Sequence, residues 1–175
     1  MFHQHKVARA RERDGSPAGL VHKGRPQSLC PWNTSDGVRR DRVPRAVGEK
    51  RAVRTEKAPA PFQGAPYSQG IVFGDLVFVS GQVPIDPATN EAVGGGIEEQ
   101  TARTLENVKA VLEEAGSSLD KVLKASIFLA DFSDFPAMNE VYGSYMGDTP
   151  PARATVQVAG LPSGVRIEIE VVAHL

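Results

Sequence analysis

The 175-residue sequence is poor in the residues that most often carry chemistry: one cysteine, Cys30, one tryptophan, and four histidines. Because Cys30 lies early in the chain, everything after it lacks a disulfide, a cysteine nucleophile and a thiolate metal site. A reducing compartment fits such usage, and the cytoplasm is the expected location. His3, His5 and His22 are confined to the first part and His174 is penultimate. Nothing near His3 and His5 completes a ligand set, so no metal site is expected. No apolar run approaches bilayer-spanning length, which argues against a membrane protein, and the first residues lack the apolar stretch of a secretory signal.

Neither sign of charge is in excess overall, at a formal −1, but the balance hides an asymmetry. Met1–Lys57 carries 14 Lys/Arg against 6 Asp/Glu, and the remainder carries 6 against 15. Residues 1–55 are rich in Arg, Gly, Pro, Ser and Asp without strand or helix periodicity, and are predicted to be a disordered basic leader. Glu12, Asp14, Asp36 and Asp41 set it apart from a transit peptide. Scarce aromatics and interspersed acids argue against nucleic-acid binding. The expectation is that the functional protein begins near Val47 or Val53, and that residues 56–175 form one domain.

What is there begins with a hairpin. A strand near Ser68–Phe73 turns at Gly74-Asp75, and Leu76–Ser80 is apolar enough to predict burial on both faces. Gly94-Gly95-Gly96 lacks phosphate-loop spacing and reads as a flexible turn. From Ile97, the positions Ile97, Thr101, Leu105, Val108, Leu112 and Ala115 form one apolar stripe that predicts a helix ended by Gly116. Val122–Ala130 is a further strand. Ser133 or Asp134 would cap a second helix with Pro136 in its first turn and Phe135, Met138, Tyr142 and Tyr145 as its stripe.

The last stretch, Thr149–Leu175, reads as two strands joined by a Leu-Pro-Ser-Gly turn. Alternation puts Arg153, Thr155 and Gln157 on one face of the first strand, and Arg166, Glu168 and Glu170 on one face of the second. Charges on the wet face of an antiparallel sheet are ordinary and taken alone require no function. The order β-β, α, β, α, β-β predicts an α+β fold, a mixed sheet of about six strands with both helices on one face. The other face, expected to hold Arg153 and Glu170, would then need closure by self-association, with sites between subunits.

Ala65-Pro-Tyr-Ser-Gln-Gly70, Val79-Ser-Gly-Gln82, Asn107-Val-Lys-Ala-Val-Leu112, Asn139-Glu-Val-Tyr142, Pro151-Ala-Arg-Ala-Thr-Val156 and Val165-Arg-Ile-Glu-Ile-Glu-Val-Val-Ala173 resemble the RidA/YjgF family of reactive-intermediate deaminases. The resemblance covers Glu56–Leu175. It implies a chorismate-mutase-like fold, a homotrimer with clefts between subunits, no cofactor, and hydrolysis of enamine-derived 2-imino acids to 2-keto acids and ammonia. It further implies that Arg153 holds the substrate carboxylate and Glu170 positions the hydrolytic water. Tyr67 would line the cleft from a neighbouring subunit, Gly81 and Asn139 would sit at its edge, and Thr155 would stand where many relatives carry cysteine. Glu168 is read as structural or as an intersubunit partner, and Tyr142 as core.

The chemistry is consistent with those residue types. A guanidinium grips a planar carboxylate through two parallel hydrogen bonds, and a positioned carboxylate can take a proton from attacking water. Two rival functions remain: a non-catalytic ligand-binding or partner-binding module, and an endoribonuclease. The acidic body and the absence of histidine from the motifs speak against the second.

Overall fold

Two glycines bound the long helix that organises the core. In the computed structural model, which describes residues 48–175, helix α1 runs Ile97–Ala115. Glu99 reaches back to the Gly96 amide at 2.8 Å, satisfying a donor that the helix start leaves free. Gly116 adopts φ 95°, which a side chain resists, and Ser117 N–H closes on the Leu112 carbonyl at 2.8 Å. The predicted stripe of α1 is buried throughout, with Leu105, Val108 and Leu112 fully enclosed.

The main sheet contains β1 (Arg51–Val53), β2 (Gly70–Phe73), β3 (Leu76–Gln82), β6 (Val122–Leu129), β7 (Ala152–Gln157) and β8 (Ile167–His174). Between β3 and α1, β4 (Ile85–Asp86) and β5 (Glu91–Ala92) form a separate small hairpin. The main order is β1-β2-β3-β8-β6-β7, antiparallel except for the parallel pair β6–β7. Ile167, Ile169, Val171 and Ala173 of β8 and Ala125, Ile127 and Leu129 of β6 point into the core that α1 and α2 (Phe135–Tyr145) help enclose.

Four expectations need correction. β1 lies within the residues assigned to the leader, and its Val53 is 1% exposed, so the folded region starts before residue 56. The disorder expected for residues 1–47 concerns positions outside the described residues. The last two strands do not pair with each other. Crossover through α2 makes β7 parallel to β6, and β8 returns antiparallel between β6 and β3. Within the Leu76–Ser80 run expected to be buried on both faces, only Val77 and Val79 are buried, while Leu76 and Phe78 are exposed, because helices cover one face alone. Finally, Asp134 holds the N-cap position of α2, as expected, but its side chain makes no capping hydrogen bond. Asp131 accepts from Ser133 N–H at 2.8 Å in the turn before α2, and buried Asp134 receives Arg166 Nε and Nη2 at 2.9 and 2.6 Å.

Candidate functional site

Arg153 sits on β7 opposite Ala125 of β6, and Thr155 opposite Ile127. Since Ala125 and Ile127 face the helices, Arg153 and Thr155 do too. β7 is an edge strand, so this face is only partly covered there and both residues stay half-buried. The Arg153 guanidinium carbon lies 4.8 Å from the Tyr142 ring centre and 5.6 Å from that of Phe135. Asn139, one turn before Tyr142 on α2, lines the same cavity of about 420 Å³ with Tyr142, Arg153 and Pro151. Asn139 Oδ1, Tyr142 Oη and Thr155 Oγ1 are all buried without a hydrogen-bond partner. Burying three polar atoms unpaired costs free energy, and their clustering around the Arg153 guanidinium makes this cavity a candidate site.

A second cavity, about 700 Å³, lies elsewhere and is lined by Tyr67, Gly81, Gln82, Val83, Ile85, Ser163 and Glu168, among others. Its geometry depends on a bulge. Between Val79↔Val171 and Gln82↔Ile169, β3 spends one residue more than β8, and Gly81 falls in that irregularity. A Cβ at Gly81 would overlap the Glu168 carboxylate, so glycine is what lets the acid lie against the strand. Half-burial raises the Glu168 pKa above the usual carboxylate range, and the charge of Glu170 one pleat away adds to it.

The walls of this cavity are pinned from behind. Gln69 Nε2 lies within 3.0 Å of the carbonyls of Thr55, Ala58 and Pro59, and its Oε1 accepts from Thr55 N–H at 2.8 Å. Tyr67 Oη accepts from Phe62 N–H at 2.8 Å, which holds the exposed ring at the cavity mouth. On the other side, fully buried Asn107 donates to the carbonyls of Val83 and Ile85, both at 2.9 Å.

The structure therefore sorts the sequence-predicted residues into two groups. Arg153, Asn139 and Thr155 cluster at the β7 edge on the helix-covered face; Tyr67 and Gly81 meet on the open face. Glu170 joins neither. It is exposed on the open face opposite Ser126, in a shallow depression with Lys124 and Phe78. The expectation that Arg153 shares the uncovered face with Glu170 is overturned by the parallel register of β6 and β7. Glu168, read as structural, is the carboxylate that accompanies Tyr67 and Gly81. Alternation cannot separate two glutamates of one face; the glycine inside an apolar strand was the available signal, since it marks a bulge or a close approach. Among the described residues no cluster of His, Cys, Asp or Glu could hold a metal, and no helix is long and apolar enough to cross a membrane.

Comparison with known proteins agrees with this architecture. The profile of a family described as Endoribonuclease L-PSP matches residues 55–175. A RutC family protein of Saccharolobus solfataricus is 55% identical over 125 residues, covering 71% of this chain and 98% of the relative. The human 2-iminobutanoate/2-iminopropanoate deaminase is 41% identical over 124 residues, 71% of this chain and 89% of that one. Among solved structures, E. coli TdcF with bound serine superposes with a TM-score of 0.68 at 39% identity, over 71% of this chain and 98% of that one. With its fold, its motifs and a family profile covering nearly all the described residues, the chain belongs to the RidA/YjgF family.

Proposed function

We propose that this protein hydrolyses 2-imino acids to 2-keto acids and ammonia, in sites completed between copies of the chain. One observation carries the reading: Arg153 and Glu168 lie on opposite faces of the same sheet. Side chains on opposite faces cannot grip one small molecule, so each group is half of a site. The open face supplies the means of joining them. Phe78 and Val156 are 43% and 47% exposed there, near Ile71, Phe128 and Val172, and apolar surface of this kind is closed by association. A closed cyclic assembly, expected to be a homotrimer, would bring the Arg153 group of one copy to the Tyr67–Gly81–Glu168 group of the next.

In such a site Arg153 holds the substrate carboxylate through paired N–H donors and draws charge from the conjugated C=N bond. Tyr67 and the backbone at Gly81 border the imine carbon. Glu168 takes a proton from water as the water oxygen bonds to that carbon and passes it to the imine nitrogen, giving a carbinolamine. It then takes the carbinolamine hydroxyl proton and delivers it to nitrogen as the C–N bond breaks and the C=O bond forms. Ammonia and a 2-keto acid leave. The chemistry needs no redox partner, and positioning supplies most of the acceleration. Glu168 takes the water-positioning role expected of Glu170 because it is the carboxylate beside the pocket. The raised pKa suits a group that must both accept and return a proton. The name of the human relative and the serine bound to TdcF, an amino acid of similar size, support the substrate class. A ribonuclease reading has less support: His174 is the only histidine among the described residues and lies exposed at the chain end, away from both cavities.

Mixing two disabled variants tests the arrangement. Arg153→Ala and Glu168→Gln should each be inactive in a dehydratase-coupled keto-acid assay. Refolded or co-expressed together, they should regain activity, because random assortment in a ring leaves about a quarter of sites with both halves intact. Mixed assemblies that form and remain inactive would sink the shared site.

A further inference from the structure

Arg153 has no carboxylate partner: the two ion pairs among the described residues are Lys109–Glu106 and Arg166–Asp134. Something else must hold a long, flexible cation at one place on an edge strand. Tyr142 and Phe135 present their rings to the guanidinium at 4.8 and 5.6 Å, and Phe135 is itself stacked on Phe132 at 5.0 Å with 12° between planes. Tyr142 is 4% exposed, yet its hydroxyl has no hydrogen-bond partner, and burying it unpaired makes tyrosine a poor choice for a purely structural core position.

We propose that Tyr142, assisted by Phe135, is a positioning residue that holds Arg153 in register for the substrate carboxylate. The physical advantage lies in what a ring does not do. A carboxylate partner would occupy the guanidinium N–H donors and cancel the charge, whereas an aromatic face attracts the cation and leaves every donor free for the ligand. α2 delivers both rings to one side of Arg153, seven residues apart and so nearly two turns along one helix face. Of the helix stripe Phe135, Met138, Tyr142 and Tyr145, Met138 is left as the fully enclosed core residue, while Tyr142 and Phe135 border the cation.

The inference rests on Arg153 being the carboxylate anchor, so the experiment reads anchoring without turnover. Calorimetric titration of the full chain with 2-oxobutanoate and with 2-oxobutanamide, equal in shape but for the charge, measures the carboxylate preference directly. Wild-type protein should prefer the acid. Tyr142→Leu should lose acid affinity by roughly three- to thirtyfold, the range of a partly desolvated cation–ring contact, with amide affinity little changed. Tyr142→Phe keeps the ring and should retain the preference. Phe135→Leu should shift it in the same direction but less, and decides the matter should Tyr142→Leu not fold. A folded Tyr142→Leu with the full preference, or one that weakens both ligands equally as its Tm falls, overturns the positioning role. Wild-type protein that binds acid and amide alike overturns the anchor itself.

Discussion

The two faces of the main sheet use the same alternation for opposite ends. On the helix-covered face, Ile127, Ile167, Ile169 and Val171 are sealed under α1 and α2, and charged strand residues enter the layer at the sheet's two edges, Arg51 of β1 beside the end of α1 and Arg153 of β7 beside α2. On the open face the strands carry Phe78, Phe128 and Val156 beside Lys124, Glu168 and Glu170. One face is covered by the chain's own helices except at the sheet edges; the other is left uncovered by the described residues. The contrast teaches that a charged residue is informative here for where its strand lies in the sheet. Arg153 reaches its cavity because β7 has no outer neighbour, and Glu168 reaches the other because a bulge in β3 makes room.

The sharpest way to break this comparison is to exchange the two glutamates of the open face. Glu168→Gln should lower keto-acid formation by roughly 10²- to 10⁴-fold, the usual worth of a positioned acid–base group, whereas Glu170→Gln should retain most turnover. Steady-state rates on correctly assembled protein check this, and the reverse ranking would return the role to Glu170. Next in size is Gly81→Ala. Its methyl group would displace the Glu168 carboxylate, for an expected loss of about tenfold in kcat/KM from a misplaced group. The melting temperature should move little, because Glu168 can swing into the open cavity, and measuring both separates displacement from unfolding.

Stability differences between the faces are probed at the sheet edge. A chain beginning at Gly48 and one beginning at Arg54 differ by β1, whose Val53 is buried against the core. Removing it should cost about 2 kcal/mol from lost apolar burial, seen as a lower Tm, with assembly through the open face preserved. An unchanged Tm would mean that β1 contributes nothing.

The smallest effect is on pH dependence. The charge of Glu170 helps hold the Glu168 pKa high, so removing that charge favours ionised Glu168 and lowers its pKa. The acid limb of the pH–rate profile should therefore move to lower pH in Glu170→Gln, as the base stays deprotonated further down. A limb that stays in place would show the two carboxylates to be uncoupled in the assembled protein.

Much of this was legible in the sequence. The stripe of α1, with glycine at both ends, announced a buried helix because its 3.6-residue period and helix-end chemistry are local properties. The IEIE alternation announced a strand with one apolar face, and the motifs from Ala65 to Ala173 pointed to the family. Less legible was the caps of α2: Asp134 looks like an N-cap in sequence, but Arg166, 32 residues later, claims its carboxylate.

The sequence by itself determined the elements, the core positions and the residue types available for chemistry, since propensity, periodicity and hydrophobicity act within a few residues. Only the tertiary structure decided which charged groups meet. Strand order placed β8 between β3 and β6, parallel pairing turned Arg153 towards α2, and one extra residue in β3 brought Gly81 against Glu168 and not Glu170. Those outcomes follow from long-range hydrogen-bond register, in which a shift of one residue sends a side chain to the other face of the sheet.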